Sequence, residues 1–401
     1  MAPSKVFTPY RLGPFILRNR MVKSATFENL APGGRVSDEL IQFHGRIAEG
    51  GVGMTTVAYI AVEPGGRTYE DQLVIDSDSV NGLHRLTDAV HDQGANACAQ
   101  IGHAGWFATP GVIKATPMGP SRTFSPRAMQ RSRAATLEDL YRLLDAFERA
   151  GALAVEAGFD CVEVHLGHGY LLSQFLSPYT NQRRDAYGGS VIGRARFPRE
   201  AVAAVRRGAG DRAAVTAKLN MFDGFRGGLT VHDAITVARL LESDDNLDAI
   251  QLTCGFTART PMALLRGDSP VQELANLEDK ASMRLAMKVF AGIFIRSERF
   301  EEAFLLPTAR RFRRALTMPL MLLGGITKVE TMEQAIDEGF DLVALGRALL
   351  FDPDFPKRCR QEAGHQSGCI HCNRCIVEME RTGAKCVLED APGFGQLGVT
   401  R

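Results

Sequence analysis

The sequence contains no long hydrophobic run and almost no net charge. Its 47 Lys and Arg residues nearly balance its 46 Asp and Glu residues, which leaves a formal charge of +1. No segment reaches the ~18 uninterrupted apolar residues that a transmembrane helix requires. The N-terminal MAPSKVFTPYRLGPF also lacks the apolar core of a signal peptide. These absences favour a cytoplasmic protein without a membrane partner, and the balanced charge gives no indication of a nucleic-acid partner.

A dinucleotide-binding motif is also missing. No G-x-G-x-x-G follows a predicted strand, so the sequence offers no dedicated fold for NAD(P)H. Internal repeats and low-complexity tracts are absent, and 45% hydrophobic with 23% charged residues is ordinary globular composition. The class of the protein has to be judged from periodicity and motifs.

Short apolar runs alternate with amphipathic segments along the chain. Such runs are typical of strands buried on both faces, and strand–helix alternation implies a parallel sheet. Eight such units favour an α/β (β/α)₈ TIM barrel, because eight parallel strands fill their own interior with side chains. The eight predicted strands are Arg20–Ala25, Gly53–Tyr59, Ala95–Ile101, Cys161–His165, Ala214–Leu219, Ala249–Thr253, Leu320–Gly324 and Leu342–Gly346.

The spacing of these strands predicts the domain organisation. About 65 residues separate the sixth and seventh strands, so we expect a helical insertion there, over the barrel mouth or against its flank. A β-hairpin over Phe7–Leu17 is expected to close the barrel floor. We predict one barrel domain over residues 1–360 and a C-terminal extension over residues 361–401.

The third and fourth strands are joined by the clearest helix signal of the chain. Thr136 is the expected N-cap, Asp139 completes a capping-box pattern, and Gly158 stands where the helix should end.

Glycines and one arginine follow the seventh and eighth strands. In barrels of this class these two loops commonly bind a phosphate, because glycine permits close backbone approach and arginine offers a bidentate fork. The alternative is that the glycines only form turns. The residues are Gly324, Gly325, Gly346 and Arg347.

The fourth strand ends in two histidines and a tyrosine. His165 lies on the strand, and His168 and Tyr170 follow in its loop. Because buried histidines are costly to leave unpaired, this group favours a functional role over core packing. A metal pair is disfavoured, since we expect Glu163 to point to the opposite face of the strand from His165 and to complete no ligand set.

The segment HLGHGYLLSQFLSPYTNQRRDAYGGS resembles one segment of the old yellow enzyme family. In that family a His pair and a Tyr open the segment, a Phe-Leu-Ser-Pro run continues it, and a Tyr-Gly-Gly turn closes it. NRMVKSA, IGHAG, the late GG and ALGRALLFDPDF follow in family order, so the resemblance covers nearly the whole chain. It implies an FMN enzyme that transfers hydride from NAD(P)H, through the flavin, to the C=C bond of an α,β-unsaturated carbonyl compound.

The resemblance also implies residue roles. His165 and His168 match the pair that donates hydrogen bonds to the substrate carbonyl oxygen, and Tyr170 matches the proton donor. Two such donors stabilise the charge that develops on that oxygen, and Tyr is a suitable acid. NAD(P)H and the substrate would use one face of the flavin in turn. The implied cofactor residues are Gln100 at the pyrimidine edge, Lys218 in place of the usual Arg beside flavin N1, Ala25 and Tyr59 beside the ring, and Gly325, Gly346 and Arg347 at the phosphate.

Two positions depart from the family pattern. The family often has Thr or Cys near flavin O4, where this sequence has Phe27; Thr26 next to it would substitute after a shift of one residue. Trp106 stands where many relatives have Arg, and it either walls the pocket or packs in the core.

The eight cysteines do not suggest a disulfide framework in a cytoplasmic protein. Four of them follow a C-x₂-C-x₂-C-x₁₀-C spacing that can bind zinc or an iron–sulfur cluster. The segment resembles the [4Fe–4S] segment of the 2,4-dienoyl-CoA reductase and trimethylamine dehydrogenase branch, although its last spacer is shorter and no second flavin domain follows. A cluster here would need an external electron donor; zinc and free thiols are the alternatives. The residues are Cys369, Cys372, Cys375 and Cys386.

Several functions remain open at this point. The first is an NAD(P)H-dependent ene-reductase acting on a small-molecule enone. The second is a dienoyl thioester reductase or amine-demethylating flavoenzyme with a [4Fe–4S] centre; the His pair favours a carbonyl acceptor over a quaternary amine. The third is a flavin-free phosphate-binding barrel lyase with Lys218 as its reactive amine, and a non-catalytic zinc-bound scaffold is the last. A homo-oligomer is compatible with each of them.

Overall fold

The computed structural model describes residues 4–278, 281–286, 288 and 295–388. Eight parallel strands pair in chain order and close into a barrel, and helices alternate with them, so the predicted TIM barrel is confirmed. The strands are β1 (Met21–Lys23), β2 (Met54–Ala61), β3 (Asn96–Gly102), β4 (Cys161–Leu166), β5 (Ala214–Asn220), β6 (Ala249–Thr253), β7 (Leu320–Leu322) and β8 (Leu342–Leu345). The outer helices are α1 (Asp38–Glu49), α2 (Val80–His91), α3 (Leu137–Glu156), α4 (Val191–Ala209), α5 (Val231–Ser243), α6 (Leu306–Arg313), α7 (Val329–Asp337) and α8 (Phe355–Gln361).

Each predicted strand coincides with an observed one, and the bounds differ mainly at the carboxyl ends. The predicted strands include Gly324 and Gly346, but β7 and β8 end before these glycines. Gly324 and Gly325 have φ of 118° and 72°, a left-handed backbone that cannot continue a strand. The chain therefore leaves the barrel at the loops that the sequence marked as a phosphate site.

A short hairpin closes the amino-terminal end of the barrel, as predicted. Its strands, Tyr10–Leu12 and Phe15–Leu17, pair antiparallel. Leu12 and Leu17 are buried in one apolar cluster with an inward-facing residue of every barrel strand. This apolar layer seals the floor, so a ligand can enter the barrel only from the opposite end.

Helix α3 begins with the predicted capping box. The Thr136 hydroxyl accepts a hydrogen bond from the Asp139 N–H at 3.1 Å, and the Asp139 carboxylate accepts one from the Thr136 N–H at 2.9 Å. The helix ends at Glu156, and Gly158 follows with φ +86°. Both ends thus follow from local hydrogen bonding and backbone freedom.

We expect Thr136→Ala to lower the free energy of unfolding by about 1 kcal/mol, since the N3 backbone N–H loses its acceptor. Urea unfolding followed by circular dichroism measures this change. Thr136→Ser keeps the hydroxyl and serves as the matched control. Equal stability of the alanine and serine variants would contradict the capping role.

The long β6–β7 connection contains short helices in its described part, namely Pro261–Leu264, Val271–Asn276 and Ala281–Ala286. Residues 279–280, 287 and 289–294 of the predicted insertion lie outside the described residues. Further short helices are Pro110–Ile113, Leu171–Leu176 and Arg347–Phe351, with single 3₁₀ turns at Lys5–Phe7, Pro32–Gly34, Pro64–Gly66, Gly105–Phe107 and Gly210–Arg212. Short strand pairs join Met118–Gly119 to Arg133–Ala134 and Phe124–Ser125 to Gln130–Arg131.

The C-terminal extension packs on the barrel mouth through helix α9 (Arg374–Arg381). Asn29 Nδ2 donates to the Met379 carbonyl at 2.8 Å, and the Ala384 N–H donates to the Glu28 carbonyl at 2.8 Å. Residues 389–401 lie outside the described residues, and the division at residue 360 stays a prediction. No helix in the described ranges has the length and apolarity needed to cross a bilayer.

Candidate active site

A cavity opens at the carboxyl ends of the barrel strands, above a layer of polar side chains. Most of the predicted cofactor residues line it, together with residues of the β6–β7 connection and the C-terminal extension. Its lining includes Ser24, Ala25, Thr26, His168, Lys218, Leu264, Gly324, Gly325, Thr327, Gly346, Arg347 and His371. The remaining predicted site residues, Tyr59, Gln100, His165 and Tyr170, lie beside or beneath this cavity.

The polar layer beneath the cavity is centred on Glu163. Its carboxylate accepts hydrogen bonds from Gln100 Nε2 and Gln251 Nε2, both at 2.7 Å, and lies 3.4 Å from Lys218 Nζ. Lys218 also donates to Ser24 Oγ at 3.1 Å, and Ser24 donates to Gln251 Oε1 at 2.8 Å. The charge of Lys218 is thus paired, and the amide of Gln100 is fixed with its oxygen away from Glu163.

The expectation that Glu163 faces away from His165 is wrong. Side chains two residues apart in a strand share a face, so Glu163 and His165 both point inward while Val162 and Val164 pack outward. Glu163 nevertheless binds amides and a lysine rather than the histidines.

The His165–His168–Tyr170 group forms one compact cluster. The ring centroid of His165 lies 5.0 Å from that of His168 and 5.0 Å from that of Tyr170. His165 Nδ1 accepts from the Gly167 N–H at 3.3 Å, so a neutral ring carries its proton on Nε2. His168 Nε2 contacts Thr253 Oγ1 at 2.9 Å. Among the described residues, His165 Nε2 and His168 Nδ1 have no hydrogen-bond partner, which leaves one nitrogen of each ring for a ligand.

His168 is held in an unusual backbone conformation. Its φ of 61° is left-handed, which is uncommon outside glycine. Its N–H donates to Asn220 Oδ1 at 3.1 Å, and its carbonyl accepts from the N–H and hydroxyl of Thr257. These bonds offset the strain and fix the ring at the strand end.

Burial keeps all three side chains of the cluster uncharged. It lowers the pKa of His165 well below its usual value, with His168 and Lys218 adding to the effect. Burial and then Lys218 lower the pKa of His168 to about 3. Burial raises the pKa of Tyr170 to about 12, although the Arg127 charge opposes it. The site therefore presents two neutral imidazoles and a protonated phenol at neutral pH.

The far end of the cavity is built from the predicted glycines. A Cβ on Gly324 would come within 2.6 Å of Leu305, and one on Gly325 within 2.7 Å of Phe304, so larger residues do not fit. Arg347 lies between this end and the cysteine segment, where its Nη1 donates to the Arg266 carbonyl at 2.9 Å and to Asn373. Its Nε and Nη2 groups have no hydrogen-bond partner in the part of the chain that the structure describes, so they are available to bind an anion.

Thr26, rather than Phe27, faces the cavity. The Thr26 hydroxyl is buried and has no hydrogen-bond partner in the described ranges, as expected of a group that contacts a ligand. The Phe27 ring instead stacks on Tyr69 at 4.7 Å between centroids. Trp106 is fully buried near Phe256 and does not line the cavity, so it packs in the core.

The four clustered cysteines line a second, smaller cavity beside Arg347 and Asn373. None of the four forms a disulfide with another described cysteine. Within the described residues, no three His, Cys, Asp or Glu side chains are arranged to hold a metal ion. The four predicted ligands are nevertheless brought to one place in the fold.

Residues 5–254 match the family model described as the NADH:flavin oxidoreductase / NADH oxidase family. The chain belongs to the old yellow enzyme family. It is 50% identical over 386 residues to a 4,4'-dithiodibutanoate disulfide reductase of Rhodococcus erythropolis, covering 96% of this chain and 95% of the relative. It is accordingly an NAD(P)H-dependent flavin oxidoreductase that acts on small molecules.

Solved structures place the fold in the same family. An old yellow enzyme homologue from Zymomonas mobilis superposes with a TM-score of 0.71 at 25% identity, covering 92% of this chain and 95% of that one. A complex of 2-naphthoyl-CoA reductase with 2-naphthoyl-CoA superposes with a TM-score of 0.78 at 25% identity, but the match covers 91% of this chain and 55% of that one.

Proposed function

We propose that this old yellow enzyme family member reduces the C=C bond of α,β-unsaturated carbonyl compounds with FMN bound in the barrel mouth. The proposal rests on the two neutral imidazoles that each keep a ring nitrogen for a ligand beside a protonated tyrosine. A carbonyl oxygen that gains negative charge needs donors of this kind, aimed at one point.

The cavity residues fit FMN. The glycine turn at Gly324 and Gly325, with the free N–H groups of Arg347, suits a phosphate. The Thr26 hydroxyl, which has no partner among the described residues, and the amine of Lys218 suit the polar edge of the flavin ring. Gln100 would present its oxygen to a ring N–H, because Glu163 occupies its nitrogen. When bound, FMN would supply hydride transfer from NAD(P)H to the acceptor.

The chain's own residues would then bind and protonate the substrate. His165 and His168 would hold its carbonyl oxygen through their free ring nitrogens. Tyr170 would donate its phenolic proton to the α-carbon, and its high pKa keeps that proton in place until it is needed. Asn220 and Thr253 would keep His168 oriented.

The test is the reduction of 2-cyclohexenone by the FMN-loaded enzyme and NAD(P)H under anaerobic conditions. We expect cyclohexanone as the product, one equivalent per NAD(P)H consumed. Oxidation of NAD(P)H without any saturated ketone would contradict the proposal.

Disulfide reduction is the second candidate, because the 50% identical relative is a disulfide reductase. One hydride and one proton convert a disulfide into two thiols, and Tyr170 could protonate the departing thiolate. A thiol assay with 4,4'-dithiodibutanoate as oxidant, run beside 2-cyclohexenone, compares kcat/KM for the two reactions. A disulfide value above the enone value would assign the second function to the same site.

The pKa values of the cluster predict a flat pH profile. Both histidines stay neutral and Tyr170 stays protonated from about pH 5 to 9, because burial lowers the histidine pKa values and raises that of the tyrosine. We expect the enone-dependent reoxidation rate of the reduced enzyme, measured by stopped flow, to change less than about threefold over this range. An inflection near pH 6.5 would show that a histidine titrates at its ordinary pKa.

The paired charge of Lys218 predicts an effect of Glu163 on the flavin. Glu163→Gln would leave the Lys218 charge uncompensated, which favours the negative charge that reduction adds to a flavin. We expect the midpoint potential of bound FMN to rise by roughly 20–50 mV, where about 30 mV corresponds to 1.4 kcal/mol for two electrons. Spectroelectrochemistry measures it. An unchanged or lower potential would contradict this pairing.

An iron–sulfur cluster is a separate candidate for the cysteine segment, because all four thiols line one cavity. Iron and acid-labile sulfide analysis of anaerobically purified protein tests it. Loss of both in Cys372→Ser, with Cys359→Ser as the control, would assign the cluster; absence of iron from the wild-type protein would exclude it.

A further inference from the structure

A small hairpin at the barrel mouth, Phe124–Ser125 paired with Gln130–Arg131, carries Arg127 in its turn. Arg127 Nε donates to Thr109 Oγ1 at 2.8 Å, and Nη2 donates to the Thr68 carbonyl at 3.2 Å. Its guanidinium carbon lies 4.6 Å from the centroid of Tyr69 and 5.3 Å from that of Phe107. Hydrogen bonds and two aromatic faces thus hold the side chain in place.

Arg127 lies near the His165–His168–Tyr170 cluster, separated from it by the Phe107 ring. The Phe107 ring, on which it lies, is 5.9 Å from the Tyr170 ring, and the Tyr170 ring is 5.0 Å from His165. Burial raises the pKa values of both Tyr170 and Tyr59, and the Arg127 charge opposes this effect at each. The cation is therefore about one aromatic ring away from the proposed proton donor.

The Arg127 guanidinium has hydrogen-bond donors that its protein contacts do not use. It presents five N–H groups, of which the contacts above use two. Among the described residues, no carboxylate lies within 4.0 Å of Arg127, whereas its neighbours Arg133 and Arg142 are paired with Asp139 and Glu63. Glu380, the acid that also faces Tyr170, is hydrogen-bonded to the Tyr69 hydroxyl instead.

We propose that Arg127 binds a carboxylate of the reducible substrate, so that the site prefers carboxylic acids whose carboxylate is a few bonds away from the reacting bond. This inference rests on the proposed function of the same site. A planar guanidinium matches a carboxylate with two parallel hydrogen bonds. Because Arg127 is a single cation near the acidic Glu380, it suits a monoanion better than a phosphate. The predicted phosphate site is elsewhere in the cavity, at Gly324 and Gly325.

The experiment compares 4-(3-oxocyclohex-1-enyl)butanoate with the corresponding primary amide. The two compounds share one enone and differ in a remote charge. For the FMN-loaded wild-type enzyme we expect kcat/KM to be at least about tenfold higher for the acid. In Arg127→Leu we expect the value for the acid to fall by about 10- to 100-fold, as for a lost charge-assisted hydrogen bond, and the value for the amide to change by less than about threefold.

Matched controls separate recognition from packing. Arg131→Leu removes an exposed arginine from the same hairpin and should leave the acid-to-amide ratio unchanged. Arg127→Lys keeps the charge without the fork and should recover part of the ratio. An equal loss for acid and amide in Arg127→Leu would reduce Arg127 to a packing residue and overturn the proposal. A raised KM for NAD(P)H with an unchanged ratio would assign the cation to the coenzyme and overturn it as well.

A binding measurement tests the Arg127–carboxylate contact independently of enone reduction. The saturated ketone, 4-(3-oxocyclohexyl)butanoate, can be titrated into the oxidised holoenzyme while the flavin spectrum is recorded. A Kd that is at least about tenfold weaker in Arg127→Leu supports the carboxylate contact even if neither enone is reduced, which would refute the proposed function alone. Equal Kd values in the two proteins would overturn the Arg127 assignment whether or not enones are reduced.

Discussion

Replacing His165 and His168 together by alanine is expected to lower kcat/KM for an enone by about 10³–10⁴-fold. Each donor of this kind contributes about 10²–10³-fold, and two donors to one oxygen are not fully additive. The loss should fall on reoxidation by the enone, because the proposed role of the two rings is to bind the substrate oxygen. FMN should remain bound, since the glycine turn and Lys218 lie on other strands.

Stopped-flow reoxidation of the reduced variant measures this loss directly, and the flavin content of the purified protein checks the fold. His165→Asn with His168→Asn is the matched control, because each amide restores a donor and should recover part of the rate. Wild-type reoxidation in the alanine double variant would remove the carbonyl-donor role from both histidines.

The second large effect is expected on stability, at the buried pair of Lys23 and Glu28. Lys23 Nζ donates to Glu28 Oε1 at 2.7 Å, both side chains are about 2% exposed or less, and His44 Nε2 lies 3.6 Å from the same oxygen. Burial alone would lower the pKa of Lys23 and raise that of Glu28, and the mutual contact opposes both shifts. Lys23→Met leaves the carboxylate buried without its cation. We expect the free energy of unfolding to fall by about 3–5 kcal/mol.

Glu28→Leu combined with Lys23→Met is the control, because an apolar pair of similar volume should recover most of the stability. The pH dependence gives an independent check. In Lys23→Met the pKa of Glu28 in the folded state is raised above its unfolded value, so the penalty is present above that raised pKa and is relieved as the pH falls through it. Urea unfolding of the single variant at pH 7 and pH 5 measures this. If the loss of unfolding free energy relative to the wild type is as large at pH 5 as at pH 7, the unpaired-carboxylate explanation is contradicted.

The same pair links stability to the site. Glu28 also accepts a hydrogen bond from the Ala58 N–H at 3.1 Å, and this bond connects the loop after β1 to strand β2. Ala25 and Thr26 belong to that loop and line the cavity. A weakened FMN affinity in Lys23→Met is therefore expected beside the loss of stability.

The barrel could be predicted because its signals are local. Apolar runs marked all eight strands, and Thr136 with Asp139 marked a helix start that the structure confirms. The glycines after β7 and β8 and the histidines at the end of β4 could be placed at one face because strand ends meet there in a barrel. Motif resemblance then named the family, and the family match confirms it.

What could not be predicted depends on contacts between distant segments. Glu163 and Gln251 come from two strands and Ser24 directly follows a third, so they form one network only when the barrel closes. Strand alternation should have placed Glu163 on the His165 face, so that error was avoidable. The partners of Arg127 lie up to 59 residues away in sequence, and its lack of a carboxylate partner becomes visible only in three dimensions.

The most direct test of the central claim is an anaerobic visible spectrum of the purified protein during sequential additions. We predict flavin absorbance that bleaches when NAD(P)H is added and returns in proportion to added 2-cyclohexenone, with cyclohexanone recovered in the same amount. Flavin that is bleached by NAD(P)H and stays bleached with the enone would contradict the assignment of the His165–His168–Tyr170 cluster to enone reduction.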